Sequence, residues 1–109
     1  QTAYKKRLLQ EYGEAVRKND IDRGMDLLRV LDRYLTPEEG AALQESARGV
    51  FKARLRQLGV QFAISVNDQK WDEAVAAGEE IIREFPNSRM SQEVRGKLEA
   101  MRSKTHKDD

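Results

Sequence analysis

The sequence predicts an all-α fold of about five helices. Apolar residues recur at spacings of three and four along the whole chain, and no segment shows the strict alternation of a half-buried strand. Only two prolines interrupt this pattern, and β-branched residues are sparse. Four turn signals divide the chain into five segments, each of which we expect to form one helix. These signals are Asn19-Asp20, Thr36-Pro37, Asn67-Asp68 and Pro86-Asn87-Ser88.

The first two segments have the spacing of amphipathic helices. The first covers about residues 2–18, and the second covers about residues 21–35. Asp20 precedes the second helix and can accept a hydrogen bond from its first-turn amides. The second helix is apolar over a wide arc, so we expect it to lie between neighbours. The expected core stripe of the first helix consists of Leu8, Tyr12, Ala15 and Val16.

The third segment has the clearest start. Thr36 can cap the helix, Pro37 suits the first helical position, and Glu39 can reach back to the cap amide. No proline follows before Asn67, so we predict one long central helix of about 30 residues, on the order of 45 Å long. Glycines inside it leave a bend near Gly49 as the alternative. Its expected core face consists of Leu43, Ala47, Phe51, Leu55, Leu58, Phe62 and Val66.

The last two segments complete a single domain predicted over residues 1–104. The fourth helix covers about residues 69–85, and the small residues Ala74 and Gly78 on it leave room for another helix to approach. The fifth covers about residues 88–104 and has a narrow apolar stripe made of Met90, Val94, Leu98 and Met101. Residues 105–109 are expected to form a polar tail, which contains the single histidine, His106.

A shift of 50 residues brings two parts of the sequence into register, with repeat-like units at about residues 4–37 and 54–87. Each unit has one helix, a second helix with a small residue near its start, and a polar turn with a proline. Nine pairs of positions match. They are Leu8 with Leu58, Tyr12 with Phe62, Val16 with Val66, Ile21 with Trp71, Asp22 with Asp72, Gly24 with Ala74, Met25 with Val75, Leu31 with Ile81, and Leu35 with Phe85.

Residues 71–75 (WDEAV) and 81–88 (IIREFPNS) resemble the second helix and closing turn of a tetratricopeptide repeat. Ala74 and Pro86 are 12 residues apart, as that family's helix-B alanine and terminal proline are. The Phe-Pro-Asn-Ser-Arg ending is similar to turns in tetratricopeptide proteins of bacterial envelopes. The upstream Leu58-Gly59-x-x-Phe62 departs from the family, because it lies three residues too far from Ala74. The resemblance implies an antiparallel helical-repeat array with a surface for partners.

The composition argues against enzyme chemistry. The chain has 109 residues, a net charge of +1, one histidine and no cysteine, so it has no thiol nucleophile or cysteine zinc site. Adjacent carboxylates on a helix point about 100° apart, and no glycine-rich metal loop surrounds them. We therefore expect no catalysis, no metal and no cofactor. The carboxylate pairs considered are Glu38-Glu39, Asp72-Glu73 and Glu79-Glu80.

A basic stripe, defined as Arg48, Lys52 and Arg56, follows one face of the central helix at four-residue spacing. The plain interpretation is charge matching with the acidic stretch 68–84. The functional interpretation makes the stripe a partner-binding site that orients an acidic peptide. Nucleic acid could use the same face, but the chain is nearly neutral, and Phe51 and Phe62 are expected in the core rather than free for stacking.

We predict a non-enzymatic protein–protein interaction or scaffold domain. The chain begins at Gln1 rather than Met, so we expect it to be part of a longer protein. A nucleic-acid-binding helical module is the first alternative. A self-assembly domain of an envelope or membrane-tethered protein, forming a homo-oligomer, is the second. No run of about 18 to 20 apolar residues occurs, so we expect no transmembrane segment in this chain. We expect a soluble domain, in either the bacterial cytoplasm or the cell envelope.

Overall fold

The computed structural model describes residues 2–107, and over that range the chain forms five α-helices and no strand. The all-α prediction is therefore confirmed. The chain forms two compact units, the first ending at Arg54 and the second beginning at Leu55. The helices are α1 (Thr2–Arg17), α2 (Ile21–Leu31), α3 (Pro37–Asn67), α4 (Trp71–Glu84) and α5 (Arg89–Lys107).

Unit 1 contains α1, α2 and the part of α3 up to Arg54. The Tyr12 ring is buried, and its hydroxyl forms a 2.8 Å hydrogen bond with the Ser46 hydroxyl, so this polar group has a partner inside the unit. A β-carbon on Gly24 would lie 3.4 Å from Val50, so α2 and α3 approach closely here. The buried apolar residues of the unit are Leu8, Tyr12, Ala15, Met25, Leu27, Leu31 and Val50.

Unit 2 contains the rest of α3 together with α4 and α5, which pack against each other. A β-carbon on Gly78 would lie 2.9 Å from both Val94 and Leu98, so the absence of a side chain there allows α5 to lie this close to α4. The core of the unit is a cluster of buried residues, namely Leu58, Phe62, Ala74, Ala77, Ile81, Val94, Leu98 and Met101.

Side-chain hydroxyls cap α3 and α5 at their starts. The Glu39 amide donates to the Thr36 hydroxyl at 3.2 Å, and the Thr36 amide donates to the Glu39 carboxylate at 2.9 Å, which confirms the predicted capping box. At the start of α5 the Ser91 amide donates to the Ser88 hydroxyl at 3.0 Å. Both caps satisfy first-turn amides that have no partner within the helix.

Two helix ends differ from the sequence prediction. α2 ends at Leu31 rather than near residue 35, because the amides of Arg33 and Tyr34 bond three residues back in a tighter turn. α5 continues to Lys107, so residues 105–107 of the expected polar tail are helical, and the Thr105 hydroxyl donates to the Arg102 carbonyl at 2.7 Å. Residues 108–109 lie outside the described residues.

Two residues predicted for the core are exposed instead. Val16 and Phe51 each keep 42% of their surface accessible. The prediction for Phe51 was wrong because successive four-residue steps along α3 rotate away from the 3.6-residue period, so Val50 faces the unit 1 core instead. Val16 lies at the edge of an open cleft.

The 31-residue helix α3 confirms the predicted long helix, which continues through Gly49. The two units are a finer division than the single domain expected over residues 1–104. That domain, the repeat boundaries and the tetratricopeptide-like arrangement stay predictions. No helix described between residues 2 and 107 combines the length and apolar character that a bilayer crossing requires.

Candidate partner-binding site

The candidate site is a cleft of about 280 Å³ inside unit 1, here called the unit 1 cleft. It opens between the C-terminal end of α1, the start of α2 and the middle of α3. Most of the surface that it exposes is apolar. Its lining consists of Ala15, Val16, Asn19, Asp20, Ile21, Glu45, Ser46, Gly49, Val50 and Ala53.

The junction between α1 and α2 forms one wall of the cleft. Asn19 has a φ of 59°, in the left-handed region that asparagine tolerates better than most residues. The Asp20 amide donates to the Ala15 carbonyl at 2.8 Å, and the Asn19 amide donates to the Val16 carbonyl at 3.1 Å. These two bonds form a Schellman motif, which ends α1 and fixes the direction of the chain.

Asp20 also begins α2. Its side chain accepts a 3.2 Å hydrogen bond from the Arg23 amide, and its carbonyl accepts one from the Gly24 amide at 2.9 Å. One residue therefore ends the turn and caps the next helix. As a result, Ile21 is held at the edge of the cleft, half-buried, with little freedom in the backbone that carries it.

The middle of α3 forms the opposite wall of the cleft. Ser46 lines the cleft and bonds to Tyr12, while the buried Val50 forms part of the cleft lining. Gly49 also lines the cleft, and a β-carbon at this position would meet nothing within 4 Å. Gly49 and Ala53 therefore leave the cleft open on the α3 side.

The charged groups of the lining are two carboxylates. Asp20 and Glu45 are both exposed, and no lysine or arginine lines the cleft. An oxygen of Glu45 accepts a 2.7 Å hydrogen bond from Arg48, one turn along α3. The lining therefore combines an apolar surface with a negative rim that Arg48 partly balances.

A further carboxylate, Glu39, lies at the start of α3 in the same unit. The pKa of Glu39 is lowered from its ordinary value, first by the Thr36 amide that donates to it and then by the hydrogen bond and charge of Lys5. The Lys5 ammonium lies 2.9 Å from the Glu39 carboxylate. This ion pair connects α1 to α3 on the surface of unit 1.

The structure places the three residues of the basic stripe on the exposed surface of α3. Arg48 and Lys52 belong to unit 1, and Arg56 belongs to unit 2. Arg48 forms an ion pair with Glu45, which belongs to its own helix and not to the acidic stretch 68–84, so charge matching with that stretch stays a prediction. The partner-binding role of Arg48, Lys52 and Arg56 stays a prediction.

Other candidate chemistry is not assembled by the described residues. No group of three or more metal-ligating side chains occurs among them. Glu79 pairs with Arg102 at 2.8 Å, and Glu80 pairs with Arg83 on the same helix. The side chain of His106 lies outside the described part of the chain.

Sequence reasoning missed the cleft because it placed Val16 in the core stripe of α1 and expected α2 to lie between neighbours. Val16 has suitable spacing for a core stripe, but in the structure it lines the cleft and stays exposed. The repeat contains one sequence signal that could have indicated the cleft. The position of Ile21 corresponds to Trp71 in unit 2, so unit 1 has a smaller side chain where unit 2 has an indole.

Comparisons with known proteins identify no relative of this chain. No protein-family model, no curated protein and no solved structure matches this chain.

Proposed function

We propose that this chain is a non-enzymatic protein–protein interaction or scaffold domain with a helical-repeat arrangement of the tetratricopeptide type. The observation that carries the proposal is the unit 1 cleft. Its walls are fixed by a Schellman motif and a partly buried Tyr12–Ser46 hydrogen bond, and its lining is apolar with a few polar groups. A preformed apolar concavity with convergent polar groups is the typical form of a binding site.

Unit 2 supports this proposal by contrast. At its corresponding position Trp71 packs, half-buried, against the core cluster, and the Lys104 ammonium lies 4.2 Å from the centre of the indole ring. Unit 1 has no such side chain at Ile21 and keeps its cleft accessible. The junction between α3 and α4 thus contains a large side chain of its own. We infer that the corresponding space in unit 1 is left open for a group from a partner.

The basic stripe has a secondary part in this proposal. Lys52 is exposed on α3, one turn beyond Arg48, and such a charge can steer a partner of opposite sign during association. Arg48 would need to release Glu45 before it could bind an acidic partner. We therefore assign the stripe to orientation and the cleft to affinity.

Nucleic-acid binding is the second candidate, because Phe51 is exposed beside Lys52. An accessible aromatic ring next to a cation is the combination on which single-stranded nucleic acids stack. This candidate predicts that affinity falls steeply as salt increases, since bound phosphates release counterions.

Self-assembly is the third candidate. Val60 and Ile64 lie one turn apart on α3 and are 52% and 55% exposed. Exposed apolar residues that share a helix face can pack against another copy of the chain. This candidate predicts a sedimentation coefficient that rises with concentration, and a change of both residues to serine would abolish the rise.

The proposal is tested by capture from a lysate of the source cells, with the purified chain as bait and with nuclease and high-salt arms. We expect a defined protein to be retained after nuclease treatment and to bind the chain again, at fixed stoichiometry, when both are pure. The triple variant Arg48→Glu, Lys52→Glu, Arg56→Glu should slow association. Retention of nucleic acid alone, or of no macromolecule, would contradict the proposal.

A further inference from the structure

The unit 1 cleft is small for a ligand pocket and has a suitable size for one side chain. Its volume of about 280 Å³ lies just below the range of roughly 300–1,000 Å³ that is typical of small-molecule pockets. The lining supplies apolar surface from Val16, Ile21 and Val50. A single large apolar side chain on a protein segment would cover this surface and leave the backbone of the segment outside.

Unit 2 indicates which side chain fits such a helix junction. The junction between α3 and α4 has the same backbone as the junction between α1 and α2, with a φ of 59° at Gln69 as at Asn19. The residue that begins α4 is Trp71, and Lys104 covers its ring. In unit 2 this junction thus holds an aromatic ring with a cation over its face.

The charges that line the unit 1 cleft suit a partner with the same two groups, an aromatic ring and a cation. Asp20 and Glu45 are the only charged residues in the cleft lining, and both are negative. Glu45 is 85% exposed, so it can exchange Arg48 for another cation without a large desolvation cost. A lysine or arginine beside the inserted side chain would lie at this negative rim.

We propose that the unit 1 cleft binds a partner segment that inserts one aromatic side chain and carries a lysine or arginine directly beside it. This inference rests on the proposed interaction function and names the chemistry of the partner. The acidic segment that the basic stripe would orient must then be a separate part of the same partner, because the carboxylates of the cleft would repel an acidic segment.

Short peptides provide the test. The probe is the acetylated and amidated pentapeptide Gly-Lys-Trp-Lys-Gly, added to the ¹⁵N-labelled chain and followed by NMR. We expect saturable shifts of the amides of Ile21, Gly49 and Val50. Replacing both lysines of the probe by glutamate should weaken binding at least tenfold, and replacing the tryptophan by alanine should abolish it. The tenfold difference should shrink with added salt, since it is electrostatic.

A matched pair of variants locates the site. Gly49→Leu places a leucine in the cleft, whereas Gly96→Leu places one on α5, where a β-carbon likewise meets nothing within 4 Å. Both changes favour helix formation, so both variants should fold. We expect at least a tenfold loss of probe binding in Gly49→Leu and no change in Gly96→Leu. Ala53→Leu provides a second blocking variant.

Arg48→Gln separates the two charge hypotheses. If a basic segment binds the cleft, release of Glu45 should strengthen binding of the lysine probe by about two- to fivefold, as a rim charge pair of a few tenths of a kcal/mol to 1 kcal/mol would give. Weaker binding of the lysine probe in this variant would contradict the inference.

The outcomes of these experiments distinguish the two proposals. Absence of probe shifts, or shifts that persist in both Gly49→Leu and Ala53→Leu, would overturn the cleft inference. The same holds if a captured protein binds Gly49→Leu as well as it binds the unaltered chain, although the interaction function would then stand. If the probe binds the cleft but no protein is captured, the interaction function fails and the cleft chemistry stands.

Discussion

The two helix junctions of this chain have the same backbone and different residues. Asn19 and Gln69 share a φ of 59°, and each junction has the same Schellman pair of hydrogen bonds, closed by the amides of Asp20 and Lys70 at distances of 2.8 and 2.9 Å. Asn19-Asp20 suits this geometry, because asparagine tolerates the left-handed region and aspartate caps helices. Gln69-Lys70 has neither property, and Lys70 makes no side-chain cap.

The difference shows that local residue preference and tertiary packing can each support the same turn. In unit 2 the residues after the junction, Trp71 and Ala74, pack on a continuous core, which supports an unfavourable turn sequence. In unit 1 the turn sequence is favourable and the space beside it is open. The unit with the better local sequence is thus the one that can keep a cleft.

The largest effects should come from the fully buried residues that correspond in the two units. Leu31→Ala and Ile81→Ala each remove a side chain with 0% exposure, so each should lower the free energy of unfolding by about 2–5 kcal/mol. Amide hydrogen exchange measures this loss residue by residue. We expect each variant to lose protection mainly in its own unit, and equal losses in both units would show that the chain opens as one body.

The next effect concerns the close approach of α4 and α5. Gly78→Ala places a methyl group 2.9 Å from Val94 and Leu98, and it should cost about 1–3 kcal/mol through overpacking despite the better helix propensity of alanine. Gly96→Ala is the control, because its methyl group meets no neighbour and should stabilise α5 by up to about 1 kcal/mol. Denaturant unfolding measures both, and stabilisation by Gly78→Ala would contradict the packing.

Much of this fold could be predicted from the sequence. Thr36-Pro37 and the absence of proline before Asn67 predict the extent of α3 correctly, because caps and prolines act locally. The end of α2 differs from its prediction, since apolar residues continue to Leu35 while the backbone tightens after Leu31. The three- and four-residue spacing of apolar residues indicates a helix but does not show at which residue the helix ends.

The candidate site was harder to predict than the fold. Val16 is an apolar residue at core spacing, and the sequence does not show that the space beside it stays open. Phe51 is exposed because four-residue steps along α3 rotate away from the 3.6-residue period, which places Val50 in the core. The cleft stays open because Gly49 and Ala53, which line it together with Ile21, are too small to fill it. Sequence patterns identify residues that need burial and do not show which of them lack a neighbour.

Exchange of the junction sequences gives the third effect. Gln69→Asn with Lys70→Asp should stabilise unit 2 by about 1–2 kcal/mol, since it adds a helix cap and relieves the left-handed strain at residue 69. The reverse exchange in unit 1, Asn19→Gln with Asp20→Lys, should cost a similar amount. Thermal unfolding and hydrogen exchange measure both. If neither exchange changes stability, the core sets the junction in both units and local preference contributes nothing.

The smallest effect is the pH dependence of the capping box in unit 1. The Thr36 amide and the Lys5 ammonium lower the pKa of Glu39, so the folded chain holds its carboxylate more strongly than the unfolded chain does. The contribution of Glu39 to stability is therefore complete above the unfolded pKa and is lost as the pH falls through the lower, folded value. At the corresponding cap of α5, Ser91 takes the place of Glu39, so unit 2 lacks this contribution.

Glu39→Gln should accordingly reduce the difference in unit 1 stability between pH 7 and pH 2, and should leave unit 2 unchanged. Glutamine can still accept the Thr36 amide bond but has no charge for Lys5 to stabilise, so the variant isolates the titration from the cap geometry. Hydrogen exchange at both pH values measures the change, and an NMR titration of the Glu39 carboxyl carbon gives its pKa directly. A Glu39 carboxyl that titrates at or above the ordinary glutamate value would show that neither the Thr36 amide nor Lys5 stabilises its charge in solution.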